Sequence, residues 1–147
     1  MLLAFGPAVV ATAPAAEALS VSAYTATNAT YNARVINRIN AYRVKYGRAP
    51  LRAASCPTWY AAHWSYHLAV TGTFYHQSMY PILKTCRATR VAENIARGGV
   101  SADRIVAAWM ASPGHRTNIL DGRLTKIGVD ARYAGGQWTV AADFARF

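Results

Sequence analysis

His76 closes the run GTFYH, Glu93 sits within VAENIARGG, and His115 follows the proline and glycine of SPGHRTNIL. These residue types can hold an ion or move a proton. Neutral imidazoles suit zinc, and a carboxylate can ligate it, orient an imidazole or accept a proton from bound water. Each of the three lies where an element is expected to end, so side chains from separate segments can converge there. Each also has an ordinary reading, as a hydrogen-bonded corner histidine or as a surface or capping glutamate. His63 and His67 stand four residues apart, a separation that lets two imidazoles share a metal. No glutamate follows the first and no third ligand is near, so the pair reads as a partly exposed polar face. Ser112 precedes His115 by three residues, yet neighbours on a turn need not face each other, and the pattern pairs no nucleophile with a base.

The elements that must position these residues follow from periodicity. Val35, Ile36, Ile39, Tyr42 and Tyr46 recur at helical spacing before Gly47, predicting a first amphipathic helix capped by Asn28 or Thr30. Arg34, Arg38, Lys45 and Arg48 form a basic stripe beside that apolar face, read as a solvated side. A second helix is predicted from Ser55 as cap, with Pro57 in its first turn, to about Thr71 before a stop at Gly72, turning Ala61, Trp64 and Leu68 inward. A third, Ala102 to Ala111, is capped by Ser101, faces Ile105, Val106 and Trp109 inward, and stops at Pro113-Gly114. KIGVDARY and QWTVAADF alternate apolar and polar around Ala134-Gly135-Gly136, which predicts a β-hairpin. Helices first and an antiparallel sheet last make an α+β fold, with helices packed on the sheet.

At 147 residues the chain is one domain's worth. The opening MLLAFGPAVVATAPAAEALS has a short apolar core and small-residue sites at Ala13-Pro14-Ala15 and Ala16-Glu17-Ala18. Residues 1–18 therefore read as a secretory signal, either truncated at its N-terminus or a poor one, since the first cation is Arg34. Residues 19–30 read as a linker, and residues 31–147 as the domain. An exported chain with two cysteines, Cys56 and Cys86, is expected to join them in one disulfide, with two free buried thiols as the alternative. The formal net charge of +10 attracts anionic lipid, acidic wall polymer or nucleic acid. Against selection for a polyanion stands the bias of 13 Arg to 3 Lys beside 30 Ala, the usage of an Ala/Arg-rich genome. Between residues 53 and 83 no charged residue occurs and 7 of the 17 aromatics fall, a segment that reads as core, or else as the lining of an apolar groove for a lipid-like ligand.

The motifs VINRINAYRVKYGRAPL, GTFYH, AENIARG, AAWMASPGHRTNIL and TKIGVDARY, in that order from about Tyr31 to Phe144, resemble the CAP superfamily of cysteine-rich secretory, antigen 5 and pathogenesis-related proteins, in its short bacterial SCP-like branch. The resemblance implies a three-layer α-β-α sandwich. It also implies a central cleft in which two histidines and acidic residues can hold a divalent metal such as zinc, here His76, His115 and Glu93. The sequence departs from the animal and plant pattern, because Met110, Ala111 and Ser112 follow Trp109 where a second glutamate is usual, and because only one disulfide can form. Zinc is therefore expected to bind weakly.

The function so implied is a secreted, monomeric binding module. Its partner is an unidentified extracellular ligand of the kind offered by anionic wall polymer, lipid or sterol. The alternative is a zinc-dependent hydrolase with His76 and His115 as ligands and Glu93 as general base. A nucleic-acid partner is disfavoured, since no recognition motif accompanies the charge.

Overall fold

A computed structural model describes residues 14–147, with side chains described from residue 27 onward. The expected signal, residues 1–18, lies mostly outside them. The first helix, α1 (Pro14–Lys45), runs through the segment expected to be a linker. That segment has no glycine or proline after Pro14 and five alanines among residues 16–29, so it lacks a stop signal and is rich in the best helix former. Neither Asn28 nor Thr30 is a cap, since both are interior to α1. Tyr31, Val35 and Ile39 recur every fourth residue and are buried. The next step of that stripe is Arg43, only 1% exposed. Its guanidinium donates to the carbonyls of Ala49, Ile119, Asp121 and Leu124 at 2.7–3.1 Å, closing the turn after α1 onto a later loop.

A two-residue strand, β1 (Arg52–Ala53), leads into α2 (Ser55–Thr71). Ser55 is the first residue of α2 rather than its cap; Ala54 precedes it in extended conformation without a side-chain bond. At the other end Gly72 takes φ 71° and returns its N–H to the Leu68 carbonyl, the left-handed stop that glycine permits. Then come α3 (Tyr80–Thr85), β2 (Arg90–Gly98), α4 (Ala102–Ala111), α5 (Pro113–Leu120), β3 (Lys126–Ala134) and β4 (Gln137–Arg146). The cap of α4 is as expected, with Ser101 accepting from the Arg104 N–H. Cys56 and Cys86 are joined across α2 and α3, Cα atoms 5.7 Å apart. Closing a loop of 30 residues stabilises the fold by about 3–4 kcal/mol in the chain-entropy account.

The sheet order is β1-β3-β4-β2, with β1 parallel to β3 and the other pairs antiparallel. Alternation sorts its side chains. Ile127, Val129, Ala131, Val140, Ala142 and Phe144 face one way and pack with α1, α4 and α5. Ala141 and Ile95 face the other way, against Ala61 and Leu68 of α2. Two helical layers thus enclose the sheet, which is the expected three-layer α-β-α sandwich. Gly128 makes the close approach of α2 possible: a Cβ there would stand 2.1 Å from the Thr58 nitrogen.

Candidate functional site

The run VAENIARG is a strand, β2, and lies at the sheet edge. Glu93 is therefore inside an element rather than at its end, and alternation sends it and Asn94 to opposite faces. Asn94 points to the α5 side, where its amide donates to the His115 carbonyl at 3.1 Å. Asn118 of α5 donates back to the Glu93 carbonyl at 3.1 Å and to Asn94 Oδ1 at 2.9 Å. Trp109 of α4 adds Nε1–H to the Ile95 carbonyl, 3.0 Å. These bonds use an edge strand's unpaired backbone to hang the start of α5, with His115, beside Glu93's neighbour.

On the α2 side, Glu93 meets the loop between α2 and α3. His76 Nδ1 lies 2.6 Å from Glu93 Oε1. The Gln77 backbone N–H donates to the same oxygen at 3.2 Å, and Gln77 Nε2 donates to Oε2 at 2.7 Å. The carboxylate is 2% exposed while the imidazole it holds is 58% exposed. Burial raises the Glu93 pKa, partly offset by the bonds from Gln77 and His76. An ionised Glu93 takes a proton donor at Nδ1, so His76 presents Nε2 to solvent.

The same Gln77 amide also donates to Asp143 Oδ1 and Oδ2, at 3.1 and 3.0 Å. Asp143 is fully buried and directly opposite Glu93 in the β2–β4 register. Burial, with the Glu93 charge second, lifts its pKa well above the ordinary carboxylate value. The site thus has a second acid, supplied by β4 rather than by the segment after Trp109.

His115 stands in the first turn of α5, which the proline at its start pre-shapes. SPGHRTNIL is accordingly a short helix rather than only a corner. Its Nδ1 lies 2.9 Å from Ser112 Oγ, so these two turn neighbours do face each other. Ser112 Oγ pairs with His115 and makes no capping bond to the α5 N–H groups. Burial lowers the His115 pKa, and the charge of His76 lowers it further. Each imidazole is anchored through Nδ1, His76 to Glu93 and His115 to Ser112.

This donor set does not fit zinc held by His76, Glu93 and His115 together. Both Glu93 oxygens accept bonds from behind the site, and among the described residues no three His, Cys, Asp or Glu side chains stand in a metal-holding group. Glu93 instead occupies the position of a carboxylate that orients a histidine. What the site turns to solvent is the half-exposed His76 imidazole, its Nδ1 held by Glu93.

His63 and His67 take no part. His63 Nδ1 bonds the Trp59 carbonyl at 2.8 Å and its ring lies against Trp59, while His67 Nε2 meets the Tyr75 hydroxyl at 2.8 Å. The charge-free segment 53–83 is not mainly core: Trp59, Tyr66, Phe74, Tyr75 and Tyr80 are all exposed. Gln77 and Asp143 were the residues sequence reasoning missed. A signal existed for Asp143, an acid in an otherwise apolar strand, VAADF, but only the register with β2 brings it to Glu93.

The profile of the cysteine-rich secretory protein family, CAP, matches residues 36–144. The Bacillus subtilis protein YkwD is 34% identical over 116 residues, covering 74% of this chain and 45% of its own length. This chain therefore spans less than half of that relative. Among solved structures, an extracellular protein of Bacillus anthracis containing an SCP domain aligns at a TM-score of 0.72, with 18% identity over 82% of this chain and 41% of its own. An outer surface protein of Borrelia burgdorferi aligns at 0.69, with 21% identity over 76% of this chain and 88% of its own. Both are similar in fold.

Proposed function

Since the chain belongs to the cysteine-rich secretory protein family, CAP, we propose that it is an extracellular binding module whose ligand is recognised at the His76–His115 cleft. The observation that carries this reading is the exposed His76 imidazole fixed from behind by a buried carboxylate. Orientation is prepaid there, so a ligand meeting Nε2 loses little entropy in ordering the ring. Glu93 is committed to His76 and Gln77, which leaves it poorly placed as a general base for the alternative hydrolase. Export is supported by the disulfide and by fold neighbours described as extracellular or outer-surface proteins. Zinc belongs to this proposal only as a weakly bound ion that His76 and His115 would hold, with Glu93 orienting His76 instead of ligating.

Calorimetric zinc titration at about pH 7.5 and about pH 5.5, on either side of the ordinary imidazole pKa of about 6.5, tests the cleft. Binding should be weak, present only at the higher pH, and lost in His76→Ala and in His115→Ala. Equal binding by wild type and both variants would remove the cleft from the account. Turnover of a peptide or ester panel that disappears in Glu93→Gln would favour the hydrolase instead.

A further inference from the structure

A helix turns about 100° per residue. Ala61, Ser65 and Leu68, buried against the sheet, fix the inner side of α2, so Trp59, His63, Tyr66 and Val70 fall on the opposite side. That outer ridge is solvated, with Trp59 55%, Tyr66 56% and Val70 61% exposed. The following chain folds back beside this ridge, along the flank of α2 that carries Trp64 and His67. Trp64 Nε1 donates to the Tyr75 carbonyl at 3.0 Å, the Tyr75 hydroxyl meets His67, and the disulfide ties α2 to the end of α3. These contacts set Phe74, Tyr75 and Tyr80 along the flank, and all three are exposed. Six of the ten large exposed hydrophobics among the described residues thus lie on the outer ridge of α2 or in the segment packed beside it. A concentration of this kind marks an interaction surface rather than the scatter of single apolar residues usual on a domain.

The charge around it is net positive. The Arg132 guanidinium lies 5.8 Å from the Tyr66 ring centre, that of Arg97 5.2 Å from Phe74, and the Lys84 ammonium 5.6 Å from Tyr80. Arg87, exposed, follows Cys86. No Asp or Glu occurs between residues 53 and 92. Asp130, on this side of the sheet, is held by Ser65 and Arg132, while Glu93 and Asp143 are buried.

We propose that this face docks the protein on an anionic membrane surface. Trp59, Tyr66, Tyr75 and Tyr80 are amphipathic rings suited to the headgroup level, and Val70 and Phe74 supply purely apolar contact. Lys84 and Arg87, both exposed, meet lipid phosphates, whereas Arg97 is held by the Leu68, Gly72 and Thr73 carbonyls and Arg132 by Asp130. No helix among the described residues is long and apolar enough to cross a membrane, so the contact is peripheral. A glycan is the less fitting partner, because Val70 and Phe74 have no hydroxyl or amide with which to hold a sugar. The proposal goes beyond the cleft and does not depend on it.

Co-sedimentation of the full chain with vesicles of phosphatidylcholine alone, or mixed equally with phosphatidylglycerol, provides the test. Binding is expected to the anionic vesicles and to weaken as salt rises. The pair Trp59→Ser with Val70→Ser, and separately Lys84→Glu with Arg87→Glu, should each weaken it about tenfold or more. Thermal melts check that the variants remain folded. Arg38→Glu with Arg48→Glu, on and beside α1 in the opposite layer, should cost much less. Equal loss from that control pair would mean diffuse charge rather than a docking face. Vesicle binding untouched by both α2-side pairs would also overturn the proposal, locating the affinity elsewhere, as in the apolar residues 1–16. So would binding to wall-glycan fragments, but not to vesicles, that the Trp59 and Val70 changes abolish. Zinc binding at the cleft should survive all of these changes, so failure here is separable from failure of the cleft.

Discussion

Glu93 and Asp143 stand directly opposite each other across β2 and β4, and the single side-chain amide of Gln77 donates to both. Burial raises the pKa of both carboxyls, and for Asp143 the Glu93 charge raises it further, so the two are not both ionised cheaply. The folded Asp143 keeps a proton that the unfolded chain has already released. Its contribution therefore favours folding in acid and is lost as pH rises from the unfolded value of about 3.9 through the raised folded one.

Asp143→Asn should consequently melt at a higher temperature than wild type at neutral pH, with the gain shrinking toward pH 4. Gln77→Ala removes the donor shared by both acids and should cost about 2–4 kcal/mol at neutral pH. The double variant should recover much of that loss. Denaturant unfolding of the four proteins closes the cycle, and simple additivity would show that Gln77 does not act through Asp143.

His115 works in the opposite direction. Its pKa is lowered by burial and then by His76, so the unfolded chain takes up a proton first as pH falls. Stability from this group is full above about pH 6.5 and is lost as pH drops through the lowered folded value. His115→Gln should flatten that acid limb of the stability curve, measured by thermal melts from neutral to mildly acidic pH. An unchanged slope would show that the ring is as solvated as in the unfolded chain.

Gly128→Ala should be among the most damaging small changes in the chain, about 2–4 kcal/mol, because the new methyl meets the backbone of Pro57 and Thr58 at 2.1–2.5 Å. Gly114→Ala has nothing within 4 Å and sits inside α5. It should stabilise by about 0.5–1 kcal/mol. Chemical denaturation of the two variants decides both.

Arg43→Met should cost about 3–5 kcal/mol, since four carbonyls lose their donor. Arg43→Lys should recover only part, an ammonium having three protons and no planar fork. Loss should appear first as faster amide exchange around residues 119–124, where three of those carbonyls lie.

The elements legible in the sequence are those whose signal is local. The face of α1 with Val35 and Ile39, the stop of α2 at Gly72, the Ser101 cap and the hairpin around Gly135 and Gly136 all depend on residues within a turn or two of each other. The family's motifs then placed His76, Glu93 and His115 together as expectations. The α3 helix and β2 were missed because neither stands on periodicity alone: β2 alternates between two buried faces, and α3 is six residues held by a disulfide and by α2.

What the tertiary structure decided is which partner each polar group has. Residue types alone allowed Glu93 to be a metal ligand or a base; the β2–β4 register and the 72–79 loop made it the anchor of His76 and the neighbour of Asp143. Residue types likewise allowed the aromatic segment to be core. The rotation of α2, fixed by Ala61, Leu68 and the Gly128 approach, put Trp59, Tyr66 and Val70 outside. The physical reason is common to both: pairing and burial depend on residues tens of positions apart, and only the packed sheet brings them within bonding distance.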